Sequence, residues 1–157
     1  MKKINLAKLK WKTWQSPKGK FAQHYKNLSF PLGDAYNGWP KKGHPFNVEL
    51  ISVPAGKSAC PFHWHMAQWE FYHIVSGTGF ARRGKERTKI RAGDAFIHPP
   101  GEAHQIVNTG KTPLVFYVIA DNPPMDGCFY PDSNKWMIRK PRKIFRMTEA
   151  DYHDGEE

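Results

Sequence analysis

Hydrophobic and polar positions alternate most clearly from residue 46 onward. Phe46, Val48 and Leu50 alternate with Asn47 and Glu49, the period-two signature of a half-buried strand. Pro54-Ala55-Gly56 ends that run. A short strand is expected over 63–65, and 69–75 predicts another, rich in aromatic and β-branched residues. Ser76-Gly77-Thr78-Gly79 reads as a turn, 80–83 as a strand, Gly84-Lys85 as a hairpin turn and 87–91 as the returning strand. Strands over 95–98, 103–108 and 114–120 follow, separated by Gly93-Asp94, Pro99-Pro100-Gly101-Glu102 and Asn108-Thr109-Gly110-Lys111. About eight short strands punctuated by glycine and proline predict a β-sandwich or barrel. No amphipathic helix pattern competes, and no internal repeat is visible.

The two ends are less regular. Trp11, Trp14, Phe21 and Tyr25 are apolar points without a clean period, and Pro17-Lys18-Gly19 and Pro31-Leu32-Gly33-Asp34 read as turns. An arm with one or two short strands packed on the barrel is the expectation there. After Ala120 comes a loop with Pro123-Pro124, Gly127 and Pro131, then a strand over 136–138 and an exposed acidic tail. A chain of 157 residues is most simply one domain, large enough to bury roughly 70% of its unfolded surface. The reading is therefore a single domain over 1–157, with a barrel core at 44–121, an arm at 1–43 and an irregular extension at 122–157.

Charge adds one question. The formal net charge is +10. Lysines crowd the first 20 residues, Arg82 to Arg91 form a second basic block, and Lys135 to Arg146 a third. Such a surface could attract nucleic acid, but no nucleic-acid-binding motif accompanies it, and solvated strand faces and tails explain it more simply. An anionic small substrate is also compatible with it. Cys60 and Cys128 are too few for a disulfide framework. Residues 1–10 lack the apolar run of a signal peptide, and no stretch has the length of a membrane span. A cytoplasmic protein without a membrane partner is the expectation.

Candidate chemistry sits between Gly56 and Asn108. In an extended strand residues i and i+2 face the same way, about 7 Å apart, so His63 and His65 can aim both imidazoles at one point. Glu70 and His104 would complete a set of three nitrogens and one oxygen, which suits a divalent transition metal with positions left for water or substrate. Parity places Glu70, Tyr72 and Ile74 on one face and Phe71 and His73 on the other. In the last strand Leu114, Phe116 and Val118 oppose Val115, Tyr117 and Ile119, and the sequence leaves open which set faces inward. Cys60 reads as an ordinary buried thiol, His98 as strand packing, Gln68 as at most a neighbour of the metal, and Gln105 as pointing away from His104.

These residues carry a family resemblance. Gly56, His63, His65, Glu70 and Gly77 resemble the first cupin motif; Gly93, Pro99, Gly101, His104 and Asn108 match the second in every spacing. One departure is that six residues, not five, separate Gly56 from His63. Tyr130-Pro131-Asp132-Ser133 and the late Tyr152 look like the tail of a group of small single-domain cupins. The resemblance implies a double-stranded β-helix (jelly-roll) barrel, metal ligands at His63, His65, Glu70 and His104, and one ion drawn from Zn, Ni, Mn, Fe, Co or Cu. It also suggests a homodimer, the N-terminal arm packing across an edge. Two functions remain in view. The first is a metal-dependent enzyme of oxygenase, isomerase or decarboxylase type, acting on a small oxygen-bearing molecule, anionic or sugar-like, with Glu70 and Tyr72 as candidate catalytic groups. The second is a non-catalytic binder or sensor of a sugar or organic acid. Fold alone does not choose between them.

Overall fold

The structure is a computed structural model that describes residues 1–33, 45–121, 123, 125–139 and 142–156. Asp34 of one expected turn, His44 at the expected start of the barrel core, Pro124 and Glu157 lie outside the described residues. Among the described residues the chain forms thirteen strands and one four-residue helix, Ser29–Leu32. Two strands precede the barrel, β1 (Lys12–Gln15) and β2 (Ala22–Asn27). The barrel contributes β3 (Phe46–Val53), β4 (Trp64–His65), β5 (Glu70–Ser76), β6 (Thr78–Arg83), β7 (Glu86–Arg91), β8 (Ala95–His98), β9 (His104–Val107) and β10 (Leu114–Asp121). Beyond it come β11 (Gly127–Tyr130), β12 (Lys135–Ile138) and β13 (Lys143–Phe145).

The eight strands expected between 46 and 121 are present. The segment beyond 121, expected to be irregular apart from one strand near 136–138, instead forms three. The strands assemble into three sheets, in the orders β1-β2-β3-β10-β5-β8, β13-β12-β11-β4 and β7-β6-β9. This is the antiparallel double-stranded β-helix. The expected arm is thus part of a sheet: β2 pairs with β3, and β1 forms the outer edge. At the other end β11 pairs with β4, setting Cys128 opposite His65. Short bridges, Ser58 to Val107 and His63 to His104, tie the small sheets together.

Alternation decides what lies inside. Leu114, Phe116 and Val118 are buried and pack with Ile51, Val53, Tyr72, Ile74 and Ile106. Val115, Tyr117 and Ile119 consequently face outward, which resolves the choice the sequence left open. Phe116 is 1% exposed; full burial of such a side chain stabilises by about 1.5–3 kcal/mol. The turn between β5 and β6 is tighter than the expected four residues, because Gly77 alone joins them. It has a φ of 85°, and a Cβ there would lie 2.5 Å from the Pro113 carbonyl oxygen. Only glycine meets both demands at once.

Asn108 fixes the far end of the barrel. It is fully buried, and its amide donates to the Val53 and Thr112 carbonyls at 2.8 Å each while its oxygen accepts from Gly110 N–H at 2.9 Å. A polar side chain is tolerated at that depth because its hydrogen bonds are satisfied. No helix among the described residues is long and apolar enough to cross a membrane.

Candidate metal centre

His63, His65, Glu70 and His104 meet at one end of the barrel interior. His65 closes the two-residue strand β4; Glu70 opens β5 and His104 opens β9. The backbones of His63 and His104 bond each other in both directions, at 3.2 and 2.8 Å. That bridge brings the two halves of the candidate set together. His63 Nε2 lies 3.2 Å from His65 Nε2. His104 Nε2 lies 2.8 Å from Glu70 Oε2, and His65 Nε2 3.7 Å from Glu70 Oε1. All three imidazoles are buried and Glu70 is nearly so.

The opposite ring nitrogens determine the tautomers. His63 Nδ1 donates to the Pro61 carbonyl at 2.9 Å, and His104 Nδ1 to the Glu102 carbonyl at 2.9 Å. His65 Nδ1 donates to Asp126 Oδ2 at 2.7 Å. A carbonyl can only accept, so Nδ1 carries the proton and Nε2 presents a lone pair. Lone pairs therefore face each other between His63 and His65, and a lone pair faces a carboxylate between His104 and Glu70. Neither contact is favourable without positive charge between the partners, whether a proton or a metal ion.

The carboxylate is built to stay ionised. Burial pushes the Glu70 carboxyl up, but a proton at Nε2 as well as Nδ1 gives the rings positive charge, and then the His104 hydrogen bond and the charges of His65, His104 and His63 outweigh burial and hold the carboxyl well below the usual carboxylate range. Tyr72 donates its hydroxyl to Glu70 Oε2 at 2.8 Å. Burial and the neighbouring Glu70 charge push the Tyr72 phenol well above its ordinary value, so it keeps its proton. Parity on β5 is as expected: Tyr72 faces the site, while Phe71 and His73 face out.

Several neighbours do more than the sequence suggests. His98 does more than fill the strand: its ring stacks on His104 at 4.1 Å with planes 3° apart, and its Nδ1 lies 2.7 Å from Glu102 Oε1. Burial and the His104 charge lower its pKa. Gln105 points away from His104 but is buried, donating to the Cys60 carbonyl at 2.7 Å. Cys60 is half-buried rather than buried and lines the cavity. Gln68 is buried, reaches the Asp121 carbonyl and lines the same cavity.

The largest omission is Asp126. Its side chain is completely buried. One oxygen takes the His65 hydrogen bond, and the other accepts from Ala67 N–H at 3.1 Å and Gln68 N–H at 3.4 Å. Burial raises the Asp126 carboxyl, but the His65 hydrogen bond and charge, the Ala67 N–H and Arg139 bring its pKa below the ordinary value. Nothing in the local sequence marks it. It reaches His65 only because β11 pairs with β4. Cys128 joins the same group, its Sγ 3.3 Å from His65 Nδ1. His65, Asp126 and Cys128 could themselves hold an ion. Two features oppose that use: burial and Asp126 push the Cys128 thiol up to about 12, and the Arg139 guanidinium lies 3.3 Å from Asp126. The group is better suited to orienting His65, since a carboxylate on the far nitrogen fixes an imidazole's tautomer and raises its basicity.

A cavity of about 240 Å³ opens beside these side chains, lined by His63, His65, Glu70 and Tyr72 and walled by Phe116 and Val118. Residues 49–120 match the family model for the cupin domain. This stretch is a cupin domain. Cupin domains commonly bind a metal, and the donor cluster lies within this one. An oxalate-binding protein of Thermotoga maritima is 35% identical over 69 residues, which cover 44% of this chain and 56% of that protein. The chain spans about half the length of the curated relatives it matches. Among solved structures, a sugar phosphate isomerase from a cupin superfamily, from Silicibacter pomeroyi, superposes with a TM-score of 0.75 at 19% identity over 92% of each chain. A predicted oxalate decarboxylase of Thermotoga maritima gives 0.61 at 21% identity, over 76% of this chain and 98% of that one. At these identities the likeness is one of fold. In the first case it takes in strands on both sides of the cupin domain.

Proposed function

We propose that the cupin domain holds one divalent transition metal ion through His63, His65, Glu70 and His104, and that the adjoining cavity takes a small oxygen-bearing molecule. The observation that carries this is the set of close contacts between acceptors, Nε2 on Nε2 at 3.2 Å and Nε2 on carboxylate at 2.8 Å, with every Nδ1 proton already committed. A cation relieves both. Three nitrogens and a carboxylate suit Zn, Ni, Mn, Fe, Co or Cu. Elemental analysis of protein purified without added metal should give about one ion per chain. The double variant His63→Ala/His65→Ala should give none, and full occupancy in it would overturn the proposal.

The reading favoured is a metal-dependent enzyme. A bound ion would supply Lewis acidity to a carbonyl or enolate oxygen. The chain's own contribution is Tyr72, which holds a proton at its hydroxyl, and Glu49, a second carboxylate on the cavity wall. Titratable groups beside the ligands are what turnover requires and mere binding does not. A binder of small organic acids is the second reading, supported by the relative named for binding oxalate. Release of an altered product from a candidate ligand, lost in Tyr72→Phe with metal retained, separates the two.

The proposal treats 1–157 as one working unit, because β2 and β11 pair directly with barrel strands. It also includes a homodimer. Trp11 and Trp14, at the outer edge of the large sheet, are 45% and 43% exposed, which fits an arm that packs on a second copy. Sedimentation at micromolar concentration should show a dimer; a monomer would remove this part alone.

A further inference from the structure

The cavity has a polar corner that the metal reading leaves unused. Asn47 and Glu49 alternate onto the inner face of β3, and both line the cavity. Asn27 of β2 holds them both. Its amide oxygen accepts from Phe30 N–H at 2.7 Å, so its NH2 group is what faces the pair. That group donates to Asn47 Oδ1 at 2.9 Å and to Glu49 Oε1 at 2.8 Å. Asn47 therefore keeps its own NH2 group, and Glu49 its second oxygen, without a hydrogen-bond partner among the described residues. Asn47 is only 6% exposed.

Joining β2 to β3 does not call for this arrangement. The two strands already pair through their backbones, with Asn27 opposite Glu49. A buried amide donor left unpaired costs stability, and so does a carboxylate partly withdrawn from water. A ligand that pairs with both removes the cost. Position adds to this. Across the large sheet Asn47 stands opposite Ala120 and Ala120 opposite Glu70; Glu49 stands opposite Val118 and Val118 opposite Tyr72. The donor–acceptor pair is thus two strand spacings, about 10 Å, from the candidate ligand Glu70. Ala120 and Val118 line the cavity between them.

We infer that Asn47 and Glu49 form a hydroxyl clamp, and that the cavity takes a small neutral polyol with one end at the metal and the other at the clamp. The inference rests on the metal reading above. A hydroxyl both donates and accepts, so one hydroxyl, or two on neighbouring carbons, can give a proton to Glu49 while accepting an N–H from Asn47. A carboxylate could accept from Asn47 but would face Glu49 charge to charge. The rest of the cavity does not invite an anion either. The two charges of a divalent ion are matched by Glu70 and Glu49, and the Arg139 guanidinium lies 3.3 Å from the Asp126 carboxylate. Size restricts the class further: at about 30 Å³ per water in the liquid, a cavity of about 240 Å³ has room for about eight water-sized groups. A four-carbon polyol fills that volume.

The test is calorimetric titration of the metal-loaded protein with the tetrols erythritol and threitol, and with tartrate, which keeps the inner hydroxyls but ends in carboxylates. Metal content and a melting curve are taken on every sample. Wild type should bind at least one tetrol. Glu49→Gln keeps an oxygen for Asn27 and turns an NH2 group toward the ligand in place of an acceptor. At wild-type metal occupancy it should weaken that tetrol about tenfold, the scale of a charge-assisted hydrogen bond, while tartrate binds at least as tightly as before. A merely structural change would weaken both. If Glu49→Gln fails to fold or load, Asn47→Asp takes its place: it keeps an oxygen for Asn27 and replaces the free donor with an acceptor, so the tetrol should again weaken about tenfold, and tartrate by more. No tetrol binding by loaded wild type overturns the inference. So does tetrol affinity within about twofold of wild type in either loaded variant, or a parallel loss of tetrol and tartrate in Glu49→Gln. Failure of both variants to fold or load also overturns it, since the pair would then serve the fold or the metal site and not the ligand. The metal reading falls separately, on the elemental analysis of His63→Ala/His65→Ala.

Discussion

His63 and His104 differ from His65 in what holds them. The first two donate their Nδ1 protons to main-chain carbonyls two residues away, Pro61 and Glu102. The third donates to a carboxylate 61 residues away in sequence, on the segment leading into β11. A carbonyl near in sequence keeps its place through any change of side chain. A remote carboxylate exists only when the C-terminal sheet is docked, and it brings a full negative charge to its imidazole. Two of the imidazoles are thus oriented by local chain geometry and the third by tertiary structure.

The contrast can be broken most sharply at Asp126. Asp126→Asn keeps the shape and removes the charge from behind His65. Metal affinity, measured by chelator competition, should fall about 10- to 100-fold, or roughly 1.4 to 2.7 kcal/mol. Pro61→Ala leaves the carbonyl that holds His63, and its affinity should stay within about threefold of wild type. Equal losses in the two variants would erase the distinction.

A pH series on the metal-free protein gives a smaller effect. Asp126 has a folded pKa below its ordinary value. A depressed carboxyl lends stability that is present above the unfolded value, about 3.9 for aspartate, and is lost as pH falls through the lower folded value. Below about pH 4 the melting temperature of the wild type should therefore drop more steeply than that of Asp126→Asn, by a few degrees at most. Identical acid slopes would mean that the Asp126–His65 pair contributes nothing to folding.

The same division governs what the sequence reveals. The strands from β3 to β10 are legible because alternation and glycine or proline turns are local signals, and the spacing of His63, His65, Glu70 and His104 foretells that they gather. Tyr72 follows from parity. Asp126 and Arg139 are invisible for a physical reason. Each flanks a four-residue strand, β11 or β12, and comes near His65 only because β12 pairs with β11 and β11 with β4. His98 was legible as buried, but its stacking on His104 depends on the approach of β8 to β9, which no spacing within either strand encodes. Gln105 alternates away from His104 as parity demands, yet parity could not show that a loop carbonyl waits there for its amide.

The pairing of β4 with β11 has a consequence for the order in which the protein matures. Chains are made from the N-terminus at about 5–20 residues per second, and domains fold as units. His63, His65, Glu70 and His104 have all been synthesised before Asp126 exists. A nascent chain can therefore gather its four donor groups, but it cannot yet lock the His65 ring in place. That lock closes only once β11 has emerged and docked. The last strands act as a latch on the centre, and under the proposed metal reading an ion captured during synthesis would remain exchangeable until the latch is set.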